Sequence, residues 1–399
     1  MNKVKVNARP KLTYVVTVSL SMGFFYGQVA YLIANGFDVD IISSYGPELD
    51  AIRKEGATCW PVSMMREIDI PKDIVSLERI WRYLRRTRPD IVVTGSPKAG
   101  LLGTVAARMA GVPIVVYTIH GLRMETASRW KQRLLWFTEW IACHAAHNVR
   151  CVSPSLRARV IDLGLIAPEH CEVVGAGTSN GVDIERWRCS TDSKARARLT
   201  RHRLGIPSSA PVIGFVGRFV RDKGIAELYE AFRRLRKLHP DLRLLLVGSF
   251  EVGDPVSTAL RVQIEADAGV ICAGVVKNVE TYYWAMDVLA LPTYREGLPA
   301  VPLEAQAASI PVVSTDATGA IDAIVDGVTG LCVPVGDVDE LTAALHRLLA
   351  DPVLRNRMGR AGRAWVEQNF RRESVWKNLL LNYRSILQPA TNLQRGACK

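Results

Sequence analysis

The 399-residue sequence lacks the marks of several common protein classes. Its eight cysteines, at positions 59, 143, 151, 171, 189, 272, 332 and 398, form no C-x-x-C and no paired metal-ligand spacing. Most of them fall in apolar runs, which favours reduced core thiols in a cytoplasmic protein over a disulfide framework or a thiolate metal centre. There is no internal repeat of short period, which argues against a repeat array. Acidic residues are the minority charge, 39 against 51 Lys and Arg, for a net charge of +12. No recognised nucleic-acid motif accompanies that excess, and it is spread along the chain. A polyanionic ligand or an anionic membrane surface is therefore the expected partner, and nucleic acid is not. Charge is absent altogether from residues 12–37, directly after the basic Met1-Asn-Lys-Val-Lys-Val-Asn-Ala-Arg9. That is how a signal or anchor helix begins. The run is not uniform, however: β-branched residues fill 12–18, Ser19-Leu-Ser-Met-Gly23 breaks the pattern, and helical spacing resumes from 24 to 35. A strand, a loop and a helix are predicted there in place of a membrane span.

What is present fits two domains with separate cores. The apolar fraction of 48% and charged fraction of 23% are those of a globular protein. Strand-like runs at 14–18, 39–43, 91–94, 114–118 and 149–152 alternate with helical stretches at 24–35, 48–55, 74–86, 99–110 and 128–147. This alternation predicts a mostly parallel sheet covered on both faces, an α/β doubly wound domain. A second alternation begins at Pro211 and continues to the helices starting near Glu340, Val353 and Glu373. Between the two, Asn180-Gly181-Val182-Asp183 is a turn signal, and 186–203 is polar with little apolar periodicity. The expected bounds are 1–182 and 211–370 for two Rossmann-like domains, 183–210 for a linker and 371–399 for a last helix and tail. Ligands of such sheets lie at the carboxyl ends of strands, so Gly23 and the Thr118-Ile119-His120-Gly121 turn should open on that edge.

The stretch Tyr294-Arg-Glu296-Gly297-Leu298-Pro-Ala-Val-Pro-Leu-Glu304 organises the second half. It follows an apolar strand run and leads into a succession of good helix formers, so it sits on a strand-to-helix turn. Backbone N–H groups of a first helical turn have no partner within the helix, and they favour an anion. Glu296 and Glu304 flank that position; as carboxylates they would accept hydrogen bonds from hydroxyl groups. A diphosphate between two polyols, which is a sugar nucleotide, meets all three demands.

Glu296 and Glu304 in this setting resemble the E-x7-E signature of the retaining glycosyltransferases of family 4, which have the GT-B fold. The pair is accompanied, in that family's order, by Gly217-Arg218-Phe-Val-Arg-Asp-Lys223-Gly224, by Gly248 at a strand end and by Asp326-Gly-Val-Thr-Gly330. The resemblance implies two Rossmann-like domains facing across a cleft, the last helix crossing back to the N-terminal, acceptor-side domain. It implies that Arg218 and Lys223 neutralise the donor diphosphate, that Glu296 meets donor-sugar hydroxyls, that the Gly297-Leu298 backbone meets phosphate and that Glu304 binds the ribose. The turn containing Val276 would lie beneath the base, and Gly23 would admit the backbone to phosphate, although the family often has a Gly-Gly pair there. Arg221 and Asp222 read as a surface turn.

His120, at the end of its strand, matches the family histidine that contacts the donor sugar. The string His120-Gly-Leu-Arg123-Met-Glu125 resembles a bacterial subgroup that builds capsular, O-antigen and related surface glycans. Arg123, Glu125 and Asn180 are then acceptor-side candidates, with a local ion pair of Arg123 and Glu125 as the structural alternative. Asp38-Val-Asp40 resembles the metal-binding D-x-D of another glycosyltransferase class, but within a strand it reads as an exposed pair, and no metal or other cofactor is expected. The resemblance further implies a UDP-sugar donor, with an N-acetylated hexose or deoxyhexose as the sugar. The implied acceptor is a polyprenyl-diphosphate-linked saccharide at the inner face of the cytoplasmic membrane. Aromatics beside basic residues at 130–140 and 80–88 suit a peripheral membrane contact, or ordinary packing of Trp136 and Trp140. A sugar-nucleotide 2-epimerase and a non-catalytic sugar-nucleotide-binding subunit are the rival functions.

Overall fold

The computed structural model describes residues 9–65, 69–188, 190–251 and 253–396; the basic run at 1–8, Cys189 and Cys398 lie outside them. The chain forms two compact units, residues 1–180 with 373–399, and residues 181–372. The first unit runs β1 (Lys11–Val15), α1 (Gln28–Ala34), β2 (Asp38–Ser43), α2 (Glu48–Lys54), β3 (Thr58–Pro61), α3 (Ile70–Thr87) and β4 (Ile91–Gly95). It continues with α4 (Pro97–Ala110), β5 (Ile114–Ile119), α5 (Arg129–Ala145), β6 (Asn148–Cys151), α6 (Pro154–Asp162) and β7 (Cys171–Glu172). The expected strand, loop and helix at 12–35 are present, and no helix among the described residues is long and apolar enough to cross a membrane.

All pairings in the seven-stranded sheet are parallel, in the order β3-β2-β1-β4-β5-β6-β7. Every residue of β4 and β5 is buried, which is why these strands read as unbroken apolar runs. One core layer joins Leu12, Val29, Leu32, Ile41, Leu49 and Val116; the other joins Val15, Ile80, Leu84, Val92, Ala106 and Val115. Strand order reverses between β1 and β4, so the crevice of this unit opens beyond the carboxyl ends of these two strands.

The second unit begins with α7 (Thr191–Arg203) and runs β8 (Val212–Val216), α8 (Ile225–Arg236), β9 (Arg243–Val247), α9 (Thr258–Ala266), β10 (Val270–Gly274), α10 (Glu280–Tyr283) and β11 (Val288–Leu291). Then follow α11 (Ala300–Ala307), β12 (Val312–Thr315), β13 (Gly330–Val333), α12 (Val338–Ala350) and α13 (Pro352–Asn369). Its six strands are parallel, ordered β10-β9-β8-β11-β12-β13, with the reversal between β8 and β11. The final helix, α14 (Arg372–Gly396), places Val375, Leu379, Leu380 and Tyr383 in the first unit's core.

The segment 183–210 is not a linker but part of the second unit. Trp187 is buried, and Arg201 of α7 donates to the carbonyls of Ala285 and Ala210 and pairs with Asp287 at 2.9 Å. These contacts are polar, so they leave no apolar period in the sequence. Among the described residues, six cysteines are free thiols; Cys143, Cys151 and Cys171 are buried, and Cys272 is exposed.

Candidate functional site

In the second unit, the two loops at the β8/β11 reversal carry the residues expected to hold a donor. After β8 the chain passes Gly217 and Arg218, makes a 3-10 turn at Arg221–Lys223 and enters α8 through Gly224. Gly224 has φ +68°, and a Cβ there would lie 1.9 Å from the carbonyl oxygen of Pro292, so the approach of the loops requires glycine. Asp222, expected as surface, joins the loops. Its carbonyl accepts from the Tyr294 N–H at 2.9 Å and the Thr293 hydroxyl at 3.0 Å, and its carboxylate pairs with Arg295 at 2.6 Å. Arg221 is the exposed member, paired with Asp254.

This stitching brings the Lys223 ammonium against the Glu296 carboxylate, in a pair whose side chains are 18% and 13% exposed. Arg218 points outward, 52% exposed, and pairs with Glu251 at 3.1 Å. Beyond Glu296, α11 starts after Pro299 with no side-chain cap, so its first-turn N–H groups keep their capacity for an anion. Gly297 and Leu298 lie immediately before that turn. Glu304, in the middle of α11, has the partner its surroundings demand: Tyr283 donates its hydroxyl at 2.9 Å. Burial, opposed by the Tyr283 hydrogen bond, pushes the Glu304 carboxyl up to about 7. Tyr283 is fully buried with its ring edge against Trp187. No sequence spacing links positions 283 and 304, so the sequence alone does not point to Tyr283. Val276 lies two residues beyond Gly274, which ends β10 with φ +70°.

In the first unit, His120 follows β5, and Gly121 turns the chain with φ +128°. The imidazole stacks on Phe24, centroids 5.3 Å apart, and its Nδ1 lies 3.0 Å from the Ser179 hydroxyl. Burial, reinforced by the Arg150 charge, pulls its pKa down to about 4, so the ring is neutral at physiological pH. Gly23 lies in a 3-10 turn with nothing within 4 Å of the position a Cβ would take.

The acceptor-side candidates divide. Arg123 is exposed in the 3-10 turn Arg123–Thr126, and Glu125 pairs with Arg159 at 3.2 Å. Asn180 has its amide engaged: it accepts from the Trp376 indole at 2.7 Å and donates to the Tyr26 carbonyl at 3.1 Å, fastening the first loop to α14. The expectation of an exposed D-x-D pair needs correction. Asp38 is exposed, but Asp40 is buried, accepting from the Tyr83 hydroxyl at 3.0 Å and paired with Lys11. On α5, Trp136 turns inward to donate to the Leu163 carbonyl at 2.9 Å, and Trp140 stacks on Phe137 and lies tilted against His144. The exposed apolar residues of that helix are Trp130, Leu134 and Phe137.

Two units, each a parallel sheet with its loops gathered at a strand-order reversal, define the GT-B class of two-domain α/β proteins. The sequence matches the family models described as glycosyl transferase 4-like domain over residues 24–177 and glycosyl transferases group 1 over residues 197–365. It is 34% identical over 378 residues to the capsular polysaccharide biosynthesis glycosyltransferase CapM of Staphylococcus aureus, covering 95% of this chain and 98% of that one. It is 27% identical over 355 residues, 88% of each chain, to the Escherichia coli UDP-Gal:alpha-D-GlcNAc-diphosphoundecaprenol alpha-1,3-galactosyltransferase. Among solved structures, HepE of Anabaena in complex with UDP superposes with a TM-score of 0.76 at 19% identity, covering 94% of this chain and all (100%) of that one. The chain belongs to the group 1 glycosyltransferases and is a transferase enzyme.

Proposed function

We propose that this enzyme moves a sugar from a UDP-sugar to a polyprenyl-diphosphate-linked saccharide in the assembly of a bacterial surface polysaccharide, with retention of anomeric configuration. The observation that carries the reading is the strand-to-helix turn on which Lys223, Glu296, the uncapped start of α11 and Glu304 converge. A departing diphosphate needs positive charge fixed before the bond breaks. Lys223, Arg218 and the first-turn N–H groups of α11 supply it without calling on a metal. Lys223 and Glu296 neutralise each other. When the diphosphate takes up the ammonium, Glu296 turns to the hydroxyls of the donor sugar. Glu304 accepts from the ribose, the Val276 turn lies under the base, and His120 contributes a contact to the donor sugar as a neutral ring. The motif carboxylates do not act as covalent nucleophiles; the donor phosphate helps to take the acceptor proton in a front-face attack. The names of the CapM and E. coli relatives support surface-glycan synthesis and a lipid-linked acceptor, and the HepE complex supports UDP.

The test is a panel of UDP- and GDP-sugars with a synthetic polyprenyl-diphosphate saccharide, in buffer containing EDTA. Acceptor-dependent UDP release, undiminished by EDTA, with the donor's anomeric configuration kept in the product, is the expected result. A C2-epimer formed without acceptor would assign the protein to the isomerases, and binding without turnover would leave it a sugar-nucleotide-binding subunit.

We also propose that the enzyme works peripherally at the inner membrane face through α5. Trp130, Leu134 and Phe137, spaced as one helical stripe, are 65%, 39% and 53% exposed. Exposed Arg129, Lys131 and Arg133 border them. A bilayer with anionic headgroups fits both features. Sedimentation with anionic vesicles should fall as salt is raised, and Trp130→Ala with Phe137→Ala should lower it at every salt concentration. Equal recovery at low and high salt would remove the electrostatic contribution.

A further inference from the structure

A run of hydrogen bonds in the first unit starts at a buried charge and ends at the residue that meets His120. Arg150, Tyr383, Tyr14 and Gln28 are each at most 5% exposed. A guanidinium can only donate, so at 3.3 Å its Nη1 donates to the Tyr383 hydroxyl oxygen. The Tyr383 proton is then directed to the Tyr14 oxygen at 3.1 Å, and the Tyr14 hydroxyl donates to Gln28 Oε1 at 3.0 Å. This fixes the Gln28 amide so that its Nε2 donates to the Ser179 main-chain carbonyl, also at 3.0 Å. The Ser179 carbonyl can only accept, so it sets the direction of the bonds back through Gln28 and Tyr14 to Tyr383, and the Arg150 guanidinium closes the other end as a donor.

Ser179 needs that hold. Its neighbour Thr178 has φ +72°, a left-handed conformation unfavourable for a β-branched residue, and its N–H is tied to the Val152 carbonyl at 2.6 Å. The strained turn presents the Ser179 hydroxyl to His120 Nδ1 at 3.0 Å. The imidazole is confined elsewhere too: Phe24 stacks on it at an interplanar angle of 12°, and a Cβ at Gly95 would lie 2.9 Å from Nε2. Ser179 is therefore the polar partner that one ring nitrogen meets, while the other edge passes over a glycine.

We propose that Ser179 and Gln28 are positioning residues for His120, holding its ring plane and a single tautomer, and that Tyr14 and Tyr383 anchor this cradle to α14. The kinetic consequence rests on the glycosyl-transfer reading above; the cradle itself does not.

Two measurements separate them. In 15N-histidine-labelled protein, His120, assigned by its loss in His120→Ala, should show the two ring shifts of one tautomer with no titration above pH 5. Ser179→Ala should move those shifts toward a mixture, Tyr383→Phe should do so in part, and Ser179→Thr should restore them. Unchanged His120 shifts in both Ser179→Ala and Tyr383→Phe would overturn the proposal, whatever the enzyme's substrates. With a turning-over donor, Ser179→Ala should lower kcat by about tenfold while donor KM stays within about twofold, the pattern of a misplaced group. Ser179→Thr should recover most of the loss, and Ser179→Ala should add nothing in a His120→Ala background. A loss that persists in that background would assign Ser179 to some other task. If the wild type turns over no sugar nucleotide, the glycosyl-transfer reading fails while the ring shifts still decide the cradle.

Discussion

Replacing Lys223 with alanine should lower kcat by roughly two to three orders of magnitude, the range seen when one fixed stabiliser of transition-state charge is removed. The reason lies in where the charge is held. Lys223 is largely enclosed, pinned against Glu296 by a loop that Asp222 fastens to the β11 side, whereas Arg218 is more than half exposed on its own pair with Glu251. The enclosed cation has little water to displace when the diphosphate arrives. It should therefore contribute more to the departing charge than Arg218, and Arg218→Ala should cost less. Lys223→Ala also leaves Glu296 without its cation, which should lower stability by about 1–3 kcal/mol. Fold and chemistry are separated by Lys223→Ala with Glu296→Gln. The double variant should recover the melting temperature lost by Lys223→Ala and recover none of its turnover. Turnover equal to wild type in Lys223→Ala would place the diphosphate elsewhere.

How much of this was legible beforehand follows from what each residue contacts. β1, β4, β5, β8, β9 and β11 lie within parallel sheets, so both faces are covered and the sequence shows plain apolar runs. The edge strands β3 and β7 did not stand out, because β3 is largely exposed and β7 has only two residues. Helix α7 has no apolar stripe; Arg201 ties it to main-chain carbonyls and to Asp287. Motif spacing singles out Lys223, Glu296 and Glu304 because strand-to-helix connections are local in sequence. It does not point to Tyr283 or give Ser179 its partner, because tertiary packing sets both contacts. Asp40 was misread for the same reason: a strand pattern puts it on a face but cannot show Tyr83 and Lys11 covering it.

Donor binding should strengthen as pH rises from about 5 to about 7.5, and Glu304 should be the cause. Its carboxyl is raised to about 7, chiefly by burial. Arg186 opposes that rise and Glu280 adds to it, but these two also pair with each other at 2.8 Å. The sign follows from the raised value. Folded protein keeps a proton on Glu304 across the interval where an unfolded chain has already released it, so this group's contribution to stability is greatest at low pH and is lost as pH rises through 7. Ribose hydroxyls favour the ionised form, because a carboxylate is the stronger acceptor. Binding below pH 7 must therefore release a proton, and well below it the affinity should fall by about tenfold per pH unit. A UDP-sugar is the right probe, since its diphosphate diester does not titrate in this range. Glu304→Gln should bind it about tenfold to a hundredfold more weakly at pH 7.5, the range for losing hydrogen bonds to a charged acceptor. Its affinity should also stop changing with pH. Glu139, in the other unit, is likewise raised to about 7 by burial, so thermal stability alone would mix the two groups. Calorimetric titration at several pH values isolates Glu304. A Glu304→Gln profile that keeps the wild-type slope would mean the proton is lost elsewhere and Glu304 does not hold the ribose. Tyr283→Phe removes the bond that favours ionisation, so it should shift the midpoint of the wild-type profile to higher pH without flattening it.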